Sequence, residues 1–200
     1  MSFTFKRILP AAAALLVAGP ALAHPAHDAV GFVGGFAHPF GGFDHLMAML
    51  AVGLWAAQYA SSQKSAKQPK ALWLLPASFV AAMAAGFGLG LADVTLPGVE
   101  AGIALSVLIL GLVVAFAARL PLPAAMAVTV LFALFHGQAH ATEMGEATMA
   151  AYAAGMLVAT ALLHGFGLTA ARLAQQFSLG LLTRAAGAAV ALSGVVILVG

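Results

Sequence analysis

Two clusters of histidine and carboxylate residues stand out in a chain that otherwise avoids charge, one at residues 38–45 and one at residues 135–143. Only 7% of the residues are charged, so histidines and carboxylates within or beside apolar runs require a structural or functional explanation. Ionisable groups at membrane depth cost roughly 2.5–3.5 kcal/mol each and by default mark an ion or substrate path. The pattern therefore predicts a metal site inside a membrane protein. The candidate metal ligands are His38, Asp44, His45, His136, His140 and Glu143.

The second cluster has the spacing of a helical chelate. His136 and His140 are four residues apart and share one face of a helix, and Glu143 follows three residues later on that face. Two imidazoles with a carboxylate suit Ni²⁺, Co²⁺ or Zn²⁺, whereas Mg²⁺ and Ca²⁺ prefer sites made only of oxygen. The alternative is a pair of core histidines that form hydrogen bonds between helices.

The first cluster predicts a break in the helix. Asp44 and His45 are adjacent and point about 100° apart on a regular helix, so both can face one metal ion only where the helix is unwound. Residues 39–42 contain a proline and two glycines, which favour a break just before Asp44 and would let His38 fold back toward it. The alternative role for Asp44 is that of a cap, because a helix N-terminus favours a carboxylate.

Composition places the chain among all-α integral membrane proteins. Apolar residues make up 63% of the sequence and the mean hydropathy is +1.05, well above a soluble domain's roughly 45–50% apolar content. There is no cysteine, so a metal must be held by nitrogen and oxygen. The formal charge of +2 comes from basic residues scattered at segment ends, which is not typical of nucleic-acid binding.

The N-terminus has the pattern of a secretory signal peptide. Lys6 and Arg7 precede an apolar stretch, and Ala21-Leu22-Ala23 provides small residues for cleavage. We predict a signal peptide at residues 1–23, followed by one transmembrane domain at residues 24–200. The alternative is an uncleaved first helix, although the apolar stretch is shorter than the roughly 20 residues a span needs.

The rest of the sequence predicts a bundle of six transmembrane helices. Glycines at positions 86, 90, 98 and 102 provide small faces for close helix packing. Apolar runs separated by short polar breaks place the helices at residues 42–60, 71–91, 99–118, 122–140, 147–169 and 179–199.

Charge predicts the orientation of the bundle. Residues 61–70 contain three lysines and should be cytoplasmic by the positive-inside rule, which puts the mature N-terminus on the periplasmic side. Both histidine clusters then lie at the outer ends of their helices and can share one site. The arginines predicted inside are Arg119, Arg172 and Arg184, and the acidic residues predicted outside are Asp93, Glu100 and Glu146.

These motifs resemble those of the HupE/UreJ family, membrane proteins associated with nickel-dependent hydrogenase and urease operons. The resemblance covers essentially the whole chain. His-x5-Asp-His lies at residues 38–45, and Phe-His-Gly-x-Ala/Val-His-Gly-x-Glu lies at residues 135–143. One residue departs from the pattern, since Ala141 stands where the family usually has glycine.

The resemblance implies a nickel permease of the bacterial inner membrane and not an enzyme. The six candidate ligands would be its functional residues. Ni²⁺ would be transported, with Co²⁺ or Zn²⁺ as other candidates, and no prosthetic group is expected. Hydrogenase or urease maturation proteins would be its partners besides the lipid bilayer.

The sequence leaves open the roles of the other histidines and two other classes of function. His164 could be an exit ligand or a histidine that packs and forms hydrogen bonds between helices. His24, His27 and Asp28 could collect metal or form a disordered tail. The other functional classes are an accessory protein that hands metal to a partner and a metal-dependent membrane hydrolase, although the chain lacks His-Glu-x-x-His.

Overall fold

Seven helices and no strand make up the residues that the computed structural model describes, namely 31–62, 68–144 and 148–200. The all-α prediction is thus confirmed for these residues. The predicted signal peptide, residues 24–28, Lys64, Lys67 and Glu146 lie outside them. The helices are α1 (Phe32–Gly41), α2 (Phe43–Ser62), α3 (Gln68–Leu91), α4 (Val99–Ala115), α5 (Leu122–Glu143), α6 (Met149–Gln176) and α7 (Gly180–Val199).

Four helices are long and apolar enough to cross a membrane, namely α3 from Leu72 onward, α5, α6 and α7. A fifth span is formed if α1 and α2 are taken together, although the pair is bent by 87°. Helix α4 is apolar but has only 17 residues, fewer than the roughly 20 that a perpendicular span needs. The described chain therefore has four or five candidate spans, and the sixth stays a prediction.

The break between α1 and α2 is confirmed just before Asp44. Gly42 is extended, with φ −94° and ψ 113°, so α1 ends at Gly41 and α2 begins at Phe43. The predicted helices did not include α1, because its ten residues contain three glycines and Pro39, which are poor helix formers. Packing stabilises this helix. Gly35 meets the backbone of Tyr152 in α6, and Gly155 of α6 meets the backbone of Phe32.

The helices pack mainly in the pairs α3 with α5, α4 with α7, and α2 with α6. Glycines bring all three pairs into backbone contact, and in the pair α4 with α7 this glycine is Gly111, which lies against the backbone of Ala191. Gly86 of α3 lies against the backbone of Leu134, and Gly137 of α5 lies against the carbonyl of Met83. Gly53 of α2 similarly lies against the carbonyl of His164 in α6. The helices that carry the histidines are therefore held at short, well-defined distances.

The packing role predicted for Gly98 is wrong. This residue has φ 68° and precedes α4 as its N-cap, so it provides a left-handed backbone conformation that glycine adopts without strain. The other predicted glycine of the pair, Gly102, does pack closely, because a Cβ there would lie 2.6 Å from the ring of Phe135.

We expect Gly137→Ala to destabilise the protein by about 1–3 kcal/mol, because the added methyl would collide with the Met83 carbonyl. The matched control is Gly88→Ala on α3, where a methyl meets no atom within 4 Å among the described residues. Helix propensity alone predicts a small gain for the control. Thermal unfolding of the purified protein in detergent, followed by circular dichroism, measures both. Equal unfolding midpoints would contradict the close contact.

Charges separate to opposite ends of the bundle. Ser61, at the C-terminal end of α2, lines a cavity of about 700 Å³ with Arg172 and a second of about 350 Å³ with Arg119 and Arg184. Asp44 lies in the first turn of the same helix, at its other end. The arginine end and the end that carries Asp44 are thus about 26 Å apart along α2.

Candidate metal centre

The entrance of the candidate site joins α1 to the C-terminal end of α5. His38 Nε2 donates a hydrogen bond to Glu143 Oε2 at 2.8 Å, and the ring centroids of His38 and His140 are 4.9 Å apart. One ligand atom from each of these three residues lies within 4.8 Å of the other two. The side chains of His38 and Glu143 are 31% and 43% exposed, whereas His140 is fully buried. The entrance is therefore open to solvent at His38 and Glu143 and closed at His140 in the interior.

A carboxylate orients His45 in the first turn of α2. Asp44 Oδ1 accepts hydrogen bonds from His45 Nδ1 at 2.8 Å and from the His45 backbone N–H at 2.7 Å. Because a carboxylate only accepts, Nδ1 carries the proton and Nε2 keeps its lone pair. His45 Nε2 is buried and has no hydrogen-bond partner in the described part of the chain. A ring nitrogen held by a carboxylate, with the other nitrogen free, is typical of metal-binding histidines.

The glycine at the helix break makes room for this pair. A Cβ at Gly42 would lie 3.0 Å from both Asp44 Oδ1 and His45 Nδ1. The sequence predicted that only one of Asp44 and His45 would face a metal squarely unless the helix is unwound there. In the structure Asp44 forms hydrogen bonds with His45. Asp44 can therefore act by orienting the His45 ring, as an alternative to binding the metal itself.

His136 is held from α4 by a residue that the sequence analysis did not identify. Its Nε2 lies 2.7 Å from Ser106 Oγ, which also lies 2.6 Å from the Ile103 carbonyl oxygen. A hydroxyl has one proton. When Ser106 donates that proton to Ile103, His136 Nε2 donates to Ser106, and His136 Nδ1 keeps a lone pair. That nitrogen is also buried without a partner among the residues described. The only sequence signal for Ser106 is a polar residue within an apolar helix.

The imidazole rings form a continuous column. The ring of His45 stands between those of His140 and His136, with centroid distances of 4.4 Å and 4.8 Å. Neither ring nitrogen of His140 has a hydrogen-bond partner within the described ranges. A buried polar group without a partner costs about 1–3 kcal/mol. Because a neutral imidazole has one lone pair, His45, His136 and His140 can each offer one of these four nitrogens to a cation.

Two other polar residues near the column were missed by the sequence analysis. The Gln138 side chain donates to the Val94 carbonyl at 2.6 Å and accepts from the Leu96 N–H at 2.7 Å. It thereby fastens the connection between α3 and α4 to the helix that carries two histidines. Tyr152 of α6 lies 5.9 Å from His38, ring to ring, and its buried hydroxyl has no partner in the described chain.

Ala141, the departure from the family pattern, is accommodated by packing. A Cβ built at Gly90 of α3 would lie 2.6 Å from the Ala141 methyl. The methyl is therefore directed toward a glycine of the neighbouring helix.

His164 lies apart from the column, in the middle of α6. It is buried, and its Nδ1–H donates to the Met49 carbonyl of α2 at 2.7 Å. The ring of Phe79 lies between it and His136, with centroid distances of 5.0 Å and 5.8 Å. The structure thus brings together all six candidate ligands and leaves His164 on the far side of a phenylalanine.

The fold and the site define a multi-pass helical membrane protein with three buried histidines beside a partly exposed histidine and two partly exposed carboxylates near one end of its bundle. The HupE / UreJ protein family matches residues 12–197, and the chain belongs to this family. Protein HupE of Rhizobium leguminosarum bv. viciae is 42% identical over 197 residues, which cover 98% of this chain and 99% of that protein. No solved structure matches the chain. The resemblance inferred from the two motifs is thus confirmed.

Proposed function

We propose that this protein is a permease that takes up nickel, and also cobalt, across the bacterial inner membrane to supply hydrogenase or urease maturation. The observation that supports it most strongly is the row of buried imidazole nitrogens without partners, which begins at an exposed histidine and carboxylate. Imidazole suits borderline divalent ions. Membership of a family associated with hydrogenase and urease supports the choice of nickel.

Entry begins at Glu143, whose exposed carboxylate attracts the cation. The ion displaces the hydrogen bond between His38 and Glu143 and binds between them, within reach of His140, and the proton of His38 shifts from Nε2 to Nδ1 so that Nε2 has a lone pair for the ion. His45 and His136 then offer the next nitrogens along the column. Asp44 and Glu143 together balance the two positive charges of the ion.

The column is too extended to act as one cage. Among the described residues, the only set of three or more candidate ligands whose ligand atoms all lie within 4.8 Å of one another is His38, His140 and Glu143. An ion therefore binds to successive subsets of the ligands, and water completes its coordination. Because only some of the ligands bind the ion at any one position, the affinity at each position is low enough for the ion to be released. A negative-inside potential contributes about 4.6 kcal/mol per 100 mV for two charges, so inward movement requires no nucleotide.

Orientation follows from charge. We assign the arginine end to the cytoplasm by the positive-inside rule and the cluster end to the periplasm, with the signal peptide at residues 1–23 removed. Asp93 and Glu100 fit this assignment. Gln138 binds the α3–α4 connection that contains Asp93, and Glu100 follows in the first turn of α4.

The test is uptake of radioactive nickel by cells that lack their own nickel transporters. Cells producing the parent protein are expected to accumulate nickel well above cells with an empty vector, and cobalt in excess is expected to compete. The Gly88→Ala variant serves as a control for expression, because its substitution faces open space. If the correctly inserted protein took up no nickel, cobalt or zinc, the permease function would be wrong, and an accessory role in metal handling would replace it.

A further inference from the structure

A second group of potential ligands lies deeper in the bundle, where α2, α3 and α6 meet. Since a carbonyl only accepts, the hydrogen bond from His164 to Met49 fixes the proton on Nδ1 and leaves a lone pair on Nε2. That Nε2 is buried without a partner in the part of the chain described, and His164 is 1% exposed. A backbone carbonyl that orients a histidine in this way is a common arrangement at metal sites.

Other polarisable groups lie about one turn of α6 away from His164. Thr160 precedes His164 by one helical turn and shares its face of α6. The Thr160 hydroxyl lies 3.3 Å from the sulfur of Met49 and 3.8 Å from the sulfur of Met83. All three residues are fully buried. A hydroxyl and two thioethers are weaker ligands for a divalent ion than imidazole, so they would supplement His164 and keep this position weaker than the outer column.

Measured along α6, this second group lies between the entrance and the arginine end of the bundle. Tyr152 contacts His38 at the entrance, and His164 follows twelve residues later on α6, about 18 Å along the helix. Arg172 follows eight residues after His164, about 12 Å further along. The group thus lies on the straight course from one end of the bundle to the other.

Phe79 separates the two groups. Its ring is fully buried and contacts the rings of both His136 and His164, with centroid distances of 5.8 Å and 5.0 Å. The face of an aromatic ring attracts cations, but Phe79 has no ligand atom, so it interrupts the row of imidazole nitrogens between the two groups.

We propose that His164 Nε2 is the principal ligand of a second, weaker ion-binding position, with Thr160 beside it and Phe79 between it and the outer column. This inference rests on the proposed transport function. A site with one imidazole binds less tightly than the outer column and accepts the ion for release toward the arginine end.

The decisive variant is His164→Asn. The asparagine amide can still donate to the Met49 carbonyl from the position of Nδ1, but it provides no ligand at the position of Nε2. We expect radioactive nickel uptake to fall about tenfold or more, as for the loss of a group important to a metal site. Equilibrium dialysis of the purified protein in detergent is expected to show unchanged tight nickel binding, because the outer column is intact.

Membrane abundance and the thermal unfolding midpoint of His164→Asn are measured alongside. Uptake within twofold of the parent would overturn the second position, since a histidine that only packs is replaced by asparagine without loss. If the variant does not reach the membrane, Thr160→Val decides in its place. It keeps the side-chain shape, and we expect a threefold or larger loss of uptake, whereas full uptake would overturn the inference. Absence of transport by the parent itself would overturn the proposed function and this inference together.

Discussion

Cells that produce the His140→Leu variant are expected to take up radioactive nickel at least about 100-fold more slowly than cells that produce the parent. His140 contacts both His38 of the entrance and His45 of the column, with ring centroids 4.9 Å and 4.4 Å away. Its loss interrupts the row of ligands at the point where the ion leaves the exposed end. Loss of a residue that only orients a ligand costs 10–100-fold, so the loss of a central ligand should cost at least the upper figure.

The thermal stability of the His140→Leu variant shows whether His140 is a metal ligand or a residue that serves packing. The two ring nitrogens of His140 have no hydrogen-bond partner among the residues described, so they cost the metal-free protein about 1–3 kcal/mol. Leucine fills a similar volume without polar atoms. We therefore expect the metal-free variant to unfold at the same temperature as the parent or a higher one.

Thr142→Val is the matched control, because Thr142 is an exposed residue on the same helix and, among the described residues, its hydroxyl bonds only to the Ala139 carbonyl. It should leave both uptake and stability unchanged. A His140→Leu protein that loses stability yet transports nickel would show that the histidine serves packing. The proposed entry route would then be wrong.

Asp44→Asn is expected to weaken nickel binding 10–100-fold. An asparagine oxygen can still accept from His45 Nδ1, so the ring keeps its orientation. The negative charge that makes the imidazole a stronger ligand, and that balances the ion, is lost. Isothermal titration calorimetry of the purified protein in detergent gives the dissociation constants of parent and variant.

Glu100→Gln is the control for Asp44→Asn. Glu100 is also an acidic residue in the first turn of a helix, but it is exposed and belongs to α4. If Asp44 acted only through its attraction for cations or for the helix N-terminus, both substitutions would weaken binding equally. We expect only Asp44→Asn to do so. Equal effects, or none at Asp44, would contradict the role of the carboxylate and imidazole pair.

The sequence by itself determined the class of protein and the identity of the candidate ligands. Apolar composition requires helices in a membrane, because every backbone polar group must be satisfied within its own segment. The break before Asp44 was predicted from local chemistry, since proline and glycine weaken a helix wherever they occur. The spacing of His136, His140 and Glu143 likewise needs only the helical repeat.

The tertiary structure decided which of these residues meet and how each is held. His38 and Glu143 are 105 residues apart in the chain and form one hydrogen bond, which depends on how α1 and α5 pack. The partner of His136 is a serine of α4, and the partner of His164 is a carbonyl of α2. Helix α1 itself depends on backbone contacts with α6. Such contacts depend on the faces that distant helices present to one another, and local residue patterns do not specify them.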